Sequence, residues 1–155
     1  MKVLFLTTGR FENIEQKGIY PDLLRVFAEN GDDVYVVSTR ERRQKKATEL
    51  VIEANCIHLL LKIGNLTQTN LLEKGVSLLT LEGKLIKGIK KYFNNVKFDL
   101  VLYSTPPITF CRAVAFVKRR DKAKTYLMLK DIFPQNAIDL GILKKTGFKG
   151  ILYRY

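Results

Sequence analysis

The sequence predicts an α/β protein with a doubly wound, mainly parallel sheet and helices on both faces. Short apolar runs rich in strand formers alternate along the chain with amphipathic stretches of helical period. The strand-like runs are nearly continuous in apolar character, as strands covered on both faces must be, and residues 125–129 (TYLML) are the clearest case. The first strand, first helix and second strand complete a β-loop-α-β unit within about 35 residues, which implies a right-handed crossover between parallel neighbours.

Residues 2–7 (KVLFLT) form the first expected strand and lead into Thr8-Gly9-Arg10. Pro21 opens a helix over 22–30, with Leu23, Leu24, Phe27 and Ala28 on one face and a stop at Asn30-Gly31. Residues 34–38 (VYVVS) are the second strand. The charge run 40–46 (RERRQKK) reads as a solvated loop or helix face, and 50–52 is too short to assign. Residues 56–63 form the third strand and carry the only histidine, His58, read as a satisfied or rim residue without a role.

A polar loop, 64–70, precedes a long helical stretch over 71–93. Leu72, Val76, Leu79, Ile86, Ile89 and Phe93 recur at helical spacing, while Lys84, Lys87 and Lys91 share another face. Gly75, Gly83 and Gly88 weaken that reading and leave one helix or two open, since each costs about 1 kcal/mol relative to alanine. Such a basic amphipathic stretch can lie on an anionic membrane surface; the plainer reading is that its apolar face covers the sheet. Residues 98–104 (FDLVLYS) are the fourth strand, ended by Thr105-Pro106-Pro107, and a helix over 108–120 turns Phe110, Val114 and Val117 inward. A second charge run, 118–124, leads into the fifth strand, after which the chain switches abruptly to Lys130, Asp131, an aromatic, a proline and two amides. Residues 149–155 begin another amphipathic helix, so a longer protein or a second chain is expected to complete the structure.

The 155 residues fit one domain, with hydrophobic content of 46% and charged content of 27% that disfavour disorder. No apolar run approaches the roughly 20 residues of a bilayer crossing, and the amino terminus reads as a buried strand rather than a signal peptide. Cys56 and Cys111 lack metal-ligand spacing and read as buried, reduced thiols of a cytoplasmic protein. A net charge of +12 favours an anionic partner: nucleic acid, a phospholipid surface or a phosphorylated small molecule.

The loop after the first strand has neither GxGxxG nor GxxxxGK[ST], so its backbone is not built to approach a pyrophosphate closely. There is no GxSxG, CxxC or HExxH. What remains is a rim of polar residues at strand ends: Thr8, Gly9 and Lys17, then Ser104 and Thr105, then Lys130, Asp131, Gln135 and Asn136. They offer hydrogen-bond donors, two cations and, in Asp131, a general-base candidate, a set suited to a phosphorylated or hydroxyl-rich ligand. Asp131 has a plain alternative in capping the turn before Pro134 or pairing with Lys130.

Four segments in order, KVLFLTTGRF, YPDLLRVFAENGDDVYVVST, LVLYSTPP and LKDIFPQNAIDLG, resemble the amino-terminal domain of family 4 glycosyltransferases, above all those of bacterial O-antigen and capsule assembly. Two positions depart from that pattern: Asp32 stands where the family commonly has histidine, and Gly9 with the later Gly18 replaces a glycine pair. The resemblance implies a Rossmann-like half of a GT-B fold, belonging to a retaining transferase. The nucleotide-sugar would be held by a carboxyl-terminal domain or subunit outside this sequence, and this half alone would be inactive. It would present a polyprenyl-phosphate-linked or saccharide acceptor at the inner face of the cytoplasmic membrane, with no bound metal or cofactor of its own. Gly9 would lie near the donor phosphates, with Lys17, Thr105, Lys130, Gln135 and Asn136 contacting substrate and Asp131 activating the acceptor hydroxyl. The competing readings are a stand-alone flavodoxin-like binding or regulatory module and a basic nucleic-acid binder. The second is disfavoured because the aromatic residues fall in core-like positions rather than among the basic runs.

Overall fold

The computed structural model describes residues 1–9, 11–53, 55–104, 110–129 and 139–141, and the elements and contacts below are those of these residues. In chain order they are β1 (Lys2–Leu6), α1 (Ile19–Glu29), β2 (Asp33–Glu41), a 3-10 turn (Arg42–Gln44), β3 (Glu49–Glu53), β4 (Cys56–Ile63), α2 (Leu71–Tyr92), β5 (Leu100–Ser104), α3 (Cys111–Asp121) and β6 (Lys124–Met128). The fold is α/β, with the strands in one sheet of order β3-β4-β2-β1-β5-β6. All neighbours are parallel except β3, which runs antiparallel to β4 with Leu50 opposite Leu59.

β1 sits between β2 and β5, so Leu4 lies opposite both Tyr35 and Val101. Successive side chains of a strand point to opposite faces, and β1 accordingly feeds two cores. Leu4 and Leu6 join Leu81, Leu85 and Ile89 of α2 and Val114 and Val117 of α3. Val3 and Phe5 join Leu24 of α1. Helices on both faces explain why this strand has no polar alternation.

The second strand continues three residues beyond its expected end, through Thr39, Arg40 and Glu41. The start of the charge run is therefore not solvated: Arg40 and Glu41 are buried. Arg40 pairs with Glu49, and Glu41 accepts from Arg43 Nε at 2.9 Å and Thr67 Oγ1 at 2.8 Å. Partners from the following turn, from β3 and from the 64–70 loop let these charges enter the sheet. The unassigned residues 50–52 belong to the edge strand β3.

α2 is a single continuous helix, as its apolar recurrence predicts, started by Asn70, whose side chain accepts from the Glu73 N–H at 2.7 Å. Its three glycines cost about 1 kcal/mol each. Leu81, Leu85 and Ile89 are fully buried, and each such side chain contributes about 1.5–3 kcal/mol, enough to keep the helix continuous. The buried stripe is Ser77, Leu81, Leu85, Gly88 and Ile89. The expected stripe is only half inward: Ile89 and Phe93 are buried, whereas Leu72, Val76 and Leu79 face solvent. Apolar residues cover a broad arc of this helix, and periodicity cannot choose which part turns inward. Close packing chooses it: Gly88 lies over Leu59 and Leu61, and Ser77 sits against Gly64.

Two further expectations are corrected. Cys56 is buried as expected, but Cys111 is exposed, because it stands in the first turn of α3 ahead of the inward residues. β6 is an edge strand rather than a strand covered on both faces: among the described residues Tyr126, Leu127 and Leu129 remain exposed. No described helix is long and apolar enough to cross a membrane.

Candidate functional site

The order of the sheet locates a crevice. From β1 the chain moves through β2 to β4 on one side, and α2 then carries it back to β5 on the other side. Strand order thus reverses between β1 and β5, and ligands of open parallel sheets bind at the carboxyl ends of strands at such a reversal. The carboxyl ends of β1, β5 and β6 lie side by side there, at Leu6, Ser104 and Met128.

Polar groups at this point come from three elements. Thr7, buried just past β1, donates its N–H to the Val37 carbonyl at 3.1 Å. Its Oγ1 accepts the Gly9 N–H at 2.8 Å, which turns the chain away from the sheet. Tyr20, in the first turn of α1, packs its ring on Phe5 at 5.0 Å and donates its hydroxyl to Ser104 Oγ at 2.9 Å. This bond ties α1 to the end of β5 across the reversal. Gly9 is required to be small: a Cβ there would meet Thr7 Oγ1 at 3.0 Å and the Tyr20 ring at 3.2 Å.

Beside it, at the carboxyl end of β2, lies a cleft of about 190 Å³ lined by Phe11, Glu12, Gln16, Ser38, Arg40 and Gln44 among others. The first loop contributes to the core, since Phe11 and Ile14 are buried. Phe11 packs on the His58 ring at 4.9 Å, and His58 Nε2 lies 2.7 Å from Ser38 Oγ. Burial lowers the His58 pKa to about 4; the Glu12 backbone acts in the opposite direction, and the Arg40 charge adds to the lowering. Nδ1 nonetheless has no partner in hydrogen-bond geometry among the described residues. The imidazole is neutral near pH 7. Burial likewise pushes the Cys56 thiol up to about 12, so it is an inert core group.

Of the sequence-derived site residues, Gly9 is at the crevice. Lys17 is exposed just before α1, with no hydrogen bond or ion pair tying it there among the described residues. Thr105, Lys130, Asp131, Gln135 and Asn136 lie outside the described residues. Asp32 stands at the opposite, amino-terminal end of the strands, just before β2, where it accepts from the Met1 amino group at 2.7 Å. Its departure from the family pattern therefore falls far from the crevice. Sequence reasoning missed the Tyr20–Ser104 bond and the Ser38–His58 pair. The available signals were a tyrosine directly before the helix-opening Pro21 and a serine ending each of two strand runs. Among the described residues no group of three or more His, Cys, Asp or Glu is placed to hold a metal.

No protein-family model matches the chain, and no curated protein matches it.

Proposed function

We propose that the chain is the acceptor-binding half of a retaining glycosyltransferase, a Rossmann-like lobe of a GT-B fold working in O-antigen or capsule assembly. It moves a sugar from a nucleotide-sugar to a lipid-linked or saccharide acceptor. The observation that carries the reading is the crevice between β1 and β5, where Gly9 and the hydroxyls of Thr7, Tyr20 and Ser104 converge beside the end of β6. Its place in the strand order supports ligand binding. The four ordered sequence segments supply the reaction class.

In this reading the rim holds the acceptor hydroxyl toward a second lobe that carries the donor. The missing phosphate-binding fingerprint after β1 fits that division of labour. The acceptor oxygen bonds to the anomeric carbon as the sugar–phosphate bond breaks, and the nucleoside diphosphate departs from the same face. Asp131 takes the hydroxyl proton. Beyond that proton transfer the chain contributes positioning, where misplacement by about 1 Å costs about a hundredfold in rate.

The test is transfer of label from a panel of radioactive nucleotide-sugars to polyprenyl-phosphate-linked sugar acceptors, using the protein in its natural reading frame. Label is expected in the lipid fraction with at least one donor. Gly9→Val, which presses on Thr7 and Tyr20, is expected to lower turnover about a hundredfold. Failure of every donor, or indifference to Gly9→Val, would overturn the reading. Full activity in Asp131→Asn would remove only the assigned base.

A further inference from the structure

We propose that the cleft at the carboxyl end of β2 binds a small carboxylate, that of an organic acid or of an acidic sugar. One face of β2 changes character along its length. Val34 and Val36 belong to the core shared with α1, and the next two residues on that face are Ser38 and Arg40. Both are buried, at 1% and 7% exposure, and both line the cleft of about 190 Å³ that Phe11, Glu12 and Gln16 of the first loop wall in. Ser38 is held by His58 Nε2 at 2.7 Å.

Uncommitted donors select the ligand. Arg40 uses Nη1 alone, for Glu49 and for the Ala47 carbonyl at 3.4 Å. Its Nε and Nη2 hydrogens have no acceptor among the described residues, and neither nitrogen is sealed from solvent as His58 Nδ1 is. Gln16 and Gln44, also on the cleft wall, are pinned by their oxygens. Gln16 Oε1 accepts the Glu12 N–H at 3.2 Å, and Gln44 Oε1 accepts the Glu41 N–H at 2.8 Å. Each amide is thereby oriented with its NH2 group uncommitted among the described residues. Donors from three segments, with a buried guanidinium among them, match the coplanar oxygens of a carboxylate, which an arginine fork binds in pairs. Charge sets a limit. Glu49 and Lys46 keep their charges where they pair with Arg40 and Glu12, so these four groups sum to zero. The Glu12 carboxylate also lines the cleft and opposes an anion. Attraction therefore comes from directed donors, which suit one negative charge and leave a phosphate dianion uncompensated. The volume falls below the roughly 300–1,000 Å³ of sites for larger ligands, which leaves a small acid or one sugar ring. β2 lies on the side of β1 away from β5, so this inference does not depend on the crevice and survives failure of the sugar-transfer reading.

The experiment is NMR titration of the isotope-labelled protein with acetate, glucuronate, glucose and inorganic phosphate. Saturable shifts of the Gln16 and Gln44 side-chain amides and of the Arg40 Nε–H are expected with glucuronate. Glucose, which has the ring without the carboxylate, is expected to bind at least about tenfold more weakly. Acetate binding within about threefold of glucuronate, or tighter, identifies the ligand as a small organic acid; a larger advantage for glucuronate identifies an acidic sugar. Gln44→Glu keeps an oxygen for the Glu41 N–H but replaces the donor by a negative charge, and Gln16→Glu does the same from the first loop. Each is expected to lower glucuronate affinity about tenfold or more with unchanged Tm. Arg40→Lys keeps the charge beside Glu49 and loses the fork, with a similar loss expected. Glu12→Gln removes the opposing charge and is expected to tighten binding. Absence of saturable shifts with either carboxylate, glucose binding as tightly as glucuronate, or phosphate binding more tightly than both carboxylates overturns the inference. So does affinity unchanged in both glutamate variants or lowered by Glu12→Gln.

Discussion

Ser38 and His58 are twenty residues apart in sequence and 2.7 Å apart in space, because the parallel register of β2 and β4 sets Val36 opposite His58. Nothing around His58 in the sequence points to Ser38, since register is a property of the sheet. The burial that results has a thermodynamic consequence. His58 titrates near 6.5 when unfolded and near 4 in the native protein. Between those values the unfolded chain binds the extra proton, so stability rises with pH there. The contribution is complete above about pH 6.5 and is lost as pH falls toward about 4, amounting to roughly 3 kcal/mol. Chemical denaturation across that range is expected to give a sloping stability for the protein. The slope is expected to be largely absent in His58→Gln; an unchanged slope would mean that His58 is not the titrating group. Asp121 acts lower in the scale. Burial raises its pKa, but the Arg120 side chain, the Phe98 N–H and the Arg120 and Lys97 charges together leave it below the usual value. Its contribution is present above the unfolded carboxylate pKa and is lost in stronger acid.

At the scale of the element, α2 separates what periodicity can and cannot decide. Its existence and length follow from the apolar recurrence over 71–93, its start from Asn70, but its orientation follows from where the sheet tolerates close approach. The glycines report this directly. Gly83 is exposed with nothing within 4 Å of an added Cβ, so Gly83→Ala relieves only backbone entropy. It is expected to stabilise by about 0.5–1 kcal/mol, or about 1–4 °C in Tm. Gly88→Ala places its Cβ 3.2 Å from Leu61 Cδ1 and 3.3 Å from Leu59 Cδ2, both held in the core. There the gain in helix propensity is offset by overpacking, and destabilisation of about 1 kcal/mol is expected. Thermal unfolding of the two variants checks both signs. If Gly88→Ala stabilised as much as Gly83→Ala, the close packing of α2 on β4 would be wrong.

For the molecule as a whole, the order β3-β4-β2-β1-β5-β6 places β1 and β2 inside and β3 and β6 at the edges. Amide exchange is expected to be slowest in β1 and β2 and fastest in β3 and β6, because opening an edge strand exposes little apolar surface. Comparable protection of β6 and β1 would contradict the edge assignment. The apolar run 125–129 looks the same in sequence as a central strand, since a run reports the tendency to form a strand and not its rank in the sheet.

Sequence alone determined the α/β class, the parallel neighbours that follow from the β-loop-α-β spacing, most strand and helix positions and Gly9 as a small residue at a strand end. Those features are written in local patterns of a few to a few dozen residues. Tertiary structure decided the burial of Arg40 and Glu41, the pairing of Ser38 with His58, the Tyr20–Ser104 bond across the strand reversal and the outward face of α2. Each of these depends on which distant segment arrives alongside, and that is settled only when the two cores close on the sheet together.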